Sequence, residues 1–186
     1  LSSVTIPDSV LTIGDNAFSN CRSLVKVVLP NGLTELGNSV FYNCKALAKI
    51  NLPGNLIKIG NETFAGWASL SSISFPESLT EIGDRAFYEC SGLVSLKLPT
   101  QLTKINEASF YNCSGLVSVT FPASLYLIEF EAFRGCSSLS SLNLPEGLNN
   151  IQSYAFTECS SIISVKFPST LKLIGTGAFS CCTNLT

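Results

Sequence analysis

Apolar residues recur along this chain on two alternating local rhythms. In Leu24-Val25-Lys26-Val27-Val28-Leu29, inward Val27 and Leu29 alternate with outward Val28, the period of two that marks a short strand. Pro30 then ends ladder donation, as proline does at a strand terminus. Leu33 and Leu36 resume the core on the opposite wall, and Gly37 allows a tight or left-handed backbone. Val40-Phe41-x-x-Cys44 carries near-helical spacing over a single turn, too short for a stable helix alone. A helical or 3₁₀ turn is therefore predicted there, plugging the loop with phenylalanine.

This unit repeats. All eight prolines fall 23 residues apart, from Pro7 and Pro30 through to Pro168. Phenylalanine keeps the interval from Phe18 to Phe179, and cysteine keeps it from Cys21 to Cys182, with Trp67 filling the one vacant slot. One such loop cannot bury its own apolar face, but stacked neighbours can. The expectation is a single domain over 1–186, eight 23-residue repeats wound as a right-handed parallel solenoid. At roughly 4.8 Å per coil the stack is about 40 Å long. With no methionine and no polar capping repeat, the chain is expected to be part of a longer protein.

The stretch Pro-x-x-Leu-x-x-Ile-Gly-x-x-Ala-Phe-x-x-Cys-x-x-Leu, as in Pro76 to Leu93, resembles the BspA-like class of leucine-rich repeats over the whole chain. The resemblance implies an α/β repeat solenoid, β-rich, with a parallel sheet on the concave face and short β or 3₁₀ segments on the convex side. It also implies a secreted or surface-attached protein of a bacterium or protist, engaged in adhesion to host matrix proteins or cells. The glycine position departs from the pattern at Asn106, Glu129 and Gln152, so a left-handed backbone is not required there in every coil.

Composition narrows the chemistry. Thirteen Asp and Glu against eleven Lys and Arg leave no basic excess for nucleic acid. No apolar run approaches the ~18 residues of a membrane span, so no membrane insertion is expected. The absence of histidine removes Ser-His-Asp and Cys-His nucleophile arrangements and every His-containing zinc site. No phosphate-binding glycine loop or calcium-type acidic cluster appears, and no cofactor, metal or enzymatic activity is expected. Seven cysteines share one position with parallel side-chain vectors, a geometry that disfavours disulfides, so they are expected to be buried thiols. Cys181 lies off that register and is the candidate reactive thiol. Asn61-Glu62-Thr63, Asn112-Cys113-Ser114 and Asn184-Leu185-Thr186 match the glycosylation sequon, although Thr63 and Cys113 fall on ladder positions.

The outward strand positions carry the main functional expectation. The two columns beginning at Ser3 and Thr5 hold Lys26, Lys49, Asn51, Lys97, Asn143 and Lys166, with many hydroxyls and no acid. This face is expected to bind a protein ligand, an acidic segment of a host matrix or cell-surface protein, or a glycan. An exposed, unaggregating sheet would have the same composition. Tyr126, Leu127 and Phe130 break polar columns and form a possible apolar interface. Tyr42, Tyr88 and Tyr111 follow the core phenylalanine and form a possible stripe. Adhesion through the concave sheet is the first functional reading. The alternative is a structural spacer or self-associating stalk presenting another domain.

Overall fold

The computed structural model describes residues 2–186 as a stack of coils with parallel strand pairing throughout. A first strand column contains Ser3–Thr5, Lys26–Val28, Ser95–Lys97, Ser118–Thr120, Leu142–Asn143 and Val165–Lys166. A second contains Glu35–Leu36, Lys58–Ile59, Glu81–Ile82, Lys104–Ile105, Leu127–Ile128, Asn150–Ile151 and Leu173–Ile174. Partners lie one repeat apart, as in Ser3↔Lys26 and Glu35↔Lys58. The inward residues of both columns, Val27, Leu96, Leu36 and Ile59 among them, meet in one continuous core.

There is no helix among the described residues, so the α/β label implied by the resemblance and the helical turn predicted at Val40-Phe41-x-x-Cys44 are both corrected: the protein is a parallel β-solenoid. The 3₁₀ expectation fails with them. The reason lies in the amides of the turn. Alternate N–H groups, such as those of Tyr42 and Cys44, bond back three residues to Ser39 and Phe41 within the coil. The others leave the coil altogether: Ser39, Phe41 and Asn43 donate to the carbonyls of Asn61, Thr63 and Ala65 in the next coil, at 2.7–3.0 Å. Three such bonds recur at every junction, from Asn16, Phe18 and Asn20 to Tyr154, Phe156 and Glu158. A helix directs its amides along its own axis and cannot share them sideways.

That alternation dictates where the backbone turns left-handed. One positive-φ column runs Asn16, Ser39, Glu62, Arg85, Ala108, Glu131, Tyr154 and Gly177, and another runs Asn20, Asn43, Gly66, Glu89, Asn112, Gly135, Glu158 and Cys181. The recurrent glycines at 14, 37, 60, 83 and 175 have ordinary φ, which corrects the left-handed option considered for Gly37. At 37, 60, 83 and 175 the constraint is crowding by the preceding coil instead. A Cβ on Gly60 would stand 2.6 Å from the carbonyl of Gly37, whereas one on Gly14 would meet nothing within 4 Å.

At Asn106 the backbone bond of this column is not made, although Glu129 and Gln152 on the same column keep it to the Ile105 and Ile128 carbonyls at 2.9 Å. The second strand column breaks between Glu81–Ile82 and Lys104–Ile105. The Asn106 amide side chain bridges the break, its Nδ2 donating to the Ile82 carbonyl at 2.7 Å. Other coils use the backbone N–H for that bond, as Gly83 does to Ile59 at 2.9 Å.

The turn interior is filled by a continuous phenylalanine stack. Successive rings from Phe18 to Phe179 lie 5.2–6.2 Å apart, most within 12° of parallel. The widest step, between Phe41 and Phe64, is where Trp67 packs edge-on against both rings. From Cys44 onward each ladder thiol donates to the phenylalanine carbonyl of the preceding coil, as Cys90 does to Phe64 at 3.1 Å and Cys136 to Phe110 at 3.2 Å. Trp67 supplies the equivalent bond, its Nε1 donating to Phe41 at 2.6 Å. The slot therefore selects a side-chain donor for a buried carbonyl, and not merely a small apolar group.

Alanine substitution separates crowding from conformation on the glycine column. Gly60→Ala is expected to lower stability by about 1–3 kcal/mol in urea unfolding. Gly14→Ala, on the same column, is expected to stay within about 0.5 kcal/mol of the parent. Equal effects would return the column to a conformational explanation.

Candidate binding surfaces

The first strand column presents its polar face as predicted: Lys26, Lys49, Asn51, Lys97, Asn143 and Lys166 are all exposed. Asn143 and Lys166 are register partners on adjacent strands, whereas Lys97 pairs with Thr120. Lys26 and Lys49 occupy successive coils. The cations are thus spread along the face and do not converge on one point. Ion pairs on the other faces engage Lys58, Arg85, Lys104 and Arg134, and none of the four face lysines takes part in one among the described residues.

The face is not one unbroken sheet. Residues 49–51 and 72–74 form no strand, and Ser118–Thr120 does not pair with Leu142–Asn143, so the column is three separate two-stranded pieces. Shallow hollows open between these coils. One of about 160 Å³ is lined by Lys49, Asn51, Ser72 and Ser74, and one of about 250 Å³ by Ser74, Glu77 and Lys97.

The apolar surface predicted at Tyr126, Leu127 and Phe130 is present. Tyr126 and Phe130 are 45% and 37% exposed, which makes both available to a partner, and Leu127 is half-buried between Lys104 and Asn150. Phe130 packs edge-on against Tyr154 of the next coil, centroids 5.9 Å apart. Tyr154 was not among the residues singled out from sequence. Its signal is the one aromatic side chain in a left-handed column that otherwise holds Asn, Ser, Glu, Arg, Ala and Gly.

The turn face carries a third feature. Tyr88 and Tyr111 stack at 4.7 Å and 6°, and the Arg134 guanidinium lies over the other side of Tyr111 at 5.7 Å. Arg134 is held by Glu131 at 2.6 Å and Glu158 at 3.1 Å. The hydrogen bond from Arg134 to Glu131 is the main cause raising its pKa above the usual arginine range. Burial raises the Tyr88 hydroxyl, with Glu89 adding to the effect. Beside this stack an open groove of about 860 Å³ runs from Tyr42 and Lys45 past Gly66 and Asn112 to Glu158. The stripe of Tyr42, Tyr88 and Tyr111 was legible in sequence, but the contribution of Arg134 was not, because it departs from the aromatic pattern.

Burial shields the thiols of the cysteine column. All eight cysteines are free thiols, and burial pushes Cys44 up to about 11 and Cys90 up to about 12. Cys181 is exposed, as expected from its off-register place. No group of three or more His, Cys, Asp or Glu able to hold a metal occurs among the described residues. The Thr63 hydroxyl is buried and shares its hydrogen between the Gly37 and Gly60 carbonyls at 2.8 Å, so it belongs to the ladder as its position implied.

A parallel solenoid of 23-residue coils, strand-poor and stacked on phenylalanine, defines the protein as a leucine-rich repeat. The chain belongs to the BspA type Leucine rich repeat region family, whose model matches residues 1–117 and 103–186 in six copies. It is similar to a leucine-rich repeat protein from Bacteroides ovatus (33% identity, TM-score 0.59, covering 99% of this chain and 59% of that one). It is also similar to the T. pallidum Leucine Rich Repeat protein (29% identity, TM-score 0.73, 99% of this chain and 78% of that one). A leucine rich cell surface protein from Faecalibacterium prausnitzii matches at 27% identity and TM-score 0.70, over 96% of this chain and 66% of that one. This chain therefore spans about three fifths of the Bacteroides ovatus protein. No curated protein matches it. Proteins of this family are often surface proteins, and among the described residues no helix is long and apolar enough to cross a membrane.

Two measurements follow from the thiols. In the native protein a disulfide-exchange reagent is expected to label Cys181 first and the buried column slowly, with eight thiols titrating after unfolding without reductant. Fewer than eight would contradict the free-thiol column. The unfolded chain releases thiol protons near 9.0, while the folded chain keeps them at Cys44 and Cys90 to about 11 and 12. Stability should therefore be unaffected by these groups below pH 9 and fall as pH rises above it.

Proposed function

We propose that this chain is a non-enzymatic binding module displayed at the cell surface, engaging an acidic segment of a host or neighbouring-cell protein through the first strand column. One observation carries the reading. Lys26, Lys49, Lys97 and Lys166 stand exposed outside every ion pair among the described residues, on outward positions that hold none of the chain's thirteen acids. Unpaired cations on one face attract an acidic partner and speed its encounter. Asn51, Asn143 and the neighbouring hydroxyls supply hydrogen bonds, and the hollows beside Lys49 and Lys97 give side chains places to enter. The surface location of the Faecalibacterium prausnitzii relative supports display outside the cell.

The deciding experiment compares this chain with a variant carrying Glu at Lys26, Lys49, Lys97 and Lys166, on a panel of matrix proteins and cells at low and physiological salt. Salt-sensitive binding that weakens at least about tenfold in the variant is expected. Equal binding by both would remove the face from the mechanism.

The exposed group of Tyr126, Phe130 and Tyr154 favours a second reading, self-association in a stalk or spacer. Phe130→Asp tests it, since Asp15 and Asp84 already occupy that column. Sedimentation should show concentration-dependent association of the parent that is lost in the variant. A parent that stays monomeric at all concentrations would end this reading.

A further inference from the structure

We infer that the groove on the turn face is a binding site for a neutral oligosaccharide chain lying parallel to the stack axis. This site is separate from the lysine face and does not depend on it. Its wall is aromatic and braced. Tyr111 has Tyr88 on one side of its ring and Arg134 on the other, and Arg134 is fixed by two carboxylates. Tyr88 therefore keeps one ring face without an aromatic partner among the described residues. That face looks toward the coil whose corresponding residue is Ala65, and beyond it stands Tyr42, 39% exposed and so open to a ligand.

Between the two tyrosines the third coil is unusually small. Ala65, Gly66 and Ala68 occupy columns that hold tyrosine, Asn or Glu, and Lys or Ser in the flanking coils. The gap between Tyr42 and Tyr88 is a consequence of those three substitutions. The floor of the groove is the left-handed column, which presents the side chains of Asn43, Glu89, Asn112 and Glu158. The opposite wall is hydroxyl-bearing, at Ser91, Ser114 and Ser137.

Aromatic faces beside amide, carboxylate and hydroxyl groups are what a pyranose chain requires. Its axial C–H faces pack on rings, and its equatorial hydroxyls both donate and accept. The repeat distance also suits it, since one coil adds about 4.8 Å, close to what one hexose adds to an extended β-linked chain. Other occupants fit less well. Lys45 is opposed by Glu89 and Glu158 in the lining, so a phosphate chain or sulfated glycan would be repelled. An extended peptide would seek backbone pairing, but the turn amides and their acceptor carbonyls are already bonded between coils.

Calorimetric titration with cellohexaose, laminarihexaose and maltohexaose tests the site, using this chain, Ala68→Arg, Tyr88→Ala and the four-lysine variant. Ala68→Arg obstructs the groove from an exposed position whose column already holds Arg22 and Lys45, so the fold tolerates it. Binding of at least one hexaose is expected, weakened about tenfold or more by Ala68→Arg and by Tyr88→Ala. The four-lysine variant is expected to bind as the parent does. No binding of any hexaose by the parent overturns the proposal, as does undiminished binding by Ala68→Arg. Loss confined to the lysine variant overturns it too, and would place glycan recognition on the other face.

Discussion

Three amide N–H groups at each turn leave their own coil and bond to carbonyls of the next, and the rest of the solenoid is arranged around that fact. For the donors to face the next coil, the backbone must turn left-handed twice per repeat, a conformation costing on the order of 1 kcal/mol per ordinary residue. The bonds impose it regardless of side chain, which is why Glu, Arg, Ala and Tyr occupy these positions beside Asn and Gly. The same geometry directs each phenylalanine into the stack and leaves its carbonyl facing inward. A thiol or the Trp67 indole then donates to that carbonyl. The 23-residue period is the length at which these three features coincide again.

With register held at the turn, the strand columns are free to vary. The first opens at residues 49–51 and 72–74 and again between Thr120 and Leu142, and the second breaks between Ile82 and Lys104; at the junction of the fourth and fifth coils neither column is paired, yet the turn bonds from Arg85, Phe87 and Glu89 continue through it. Variation in outward residues is therefore tolerated on every face. One face can accumulate lysine, another can lose side chains to make a groove, and a third can expose aromatic residues, without a cost to the stack. Surface chemistry in such a protein is layered onto a scaffold whose cohesion lies elsewhere.

Much of this was legible in the chain itself. The alternation of Val27 and Val28, the phenylalanine interval and the shared cysteine position pointed correctly to coils, core and buried thiols, and the outward lysines stand where alternation placed them. The turn was misread because Val40-Phe41-x-x-Cys44 has the spacing of a helical turn, and spacing does not report where amides point. Glycine at 37, 60 and 83 suggested left-handed backbone, but the requirement there is the nearness of the preceding coil. Asn and Gly hold five of the eight positions in the second left-handed column but only two of eight in the first, where Ser39, Glu62, Arg85, Ala108, Glu131 and Tyr154 give no signal of left-handed backbone. Tyr154 and Arg134 escaped notice because each acts with a neighbour one coil away, Phe130 and Tyr111, and such pairing becomes visible only when the coils are stacked.

The most direct measurement is residue-resolved amide hydrogen exchange. If the turn carries the cohesion, the amides of Phe41, Phe64, Phe87, Phe110, Phe133 and Phe156 should be the slowest, through coils where the strand columns break. The amides of Asn51, Leu52 and Ser74 should exchange orders of magnitude faster. Uniform protection along the first strand column, with rapid exchange at those phenylalanines, would contradict the account and make the sheet the element that holds the coils together.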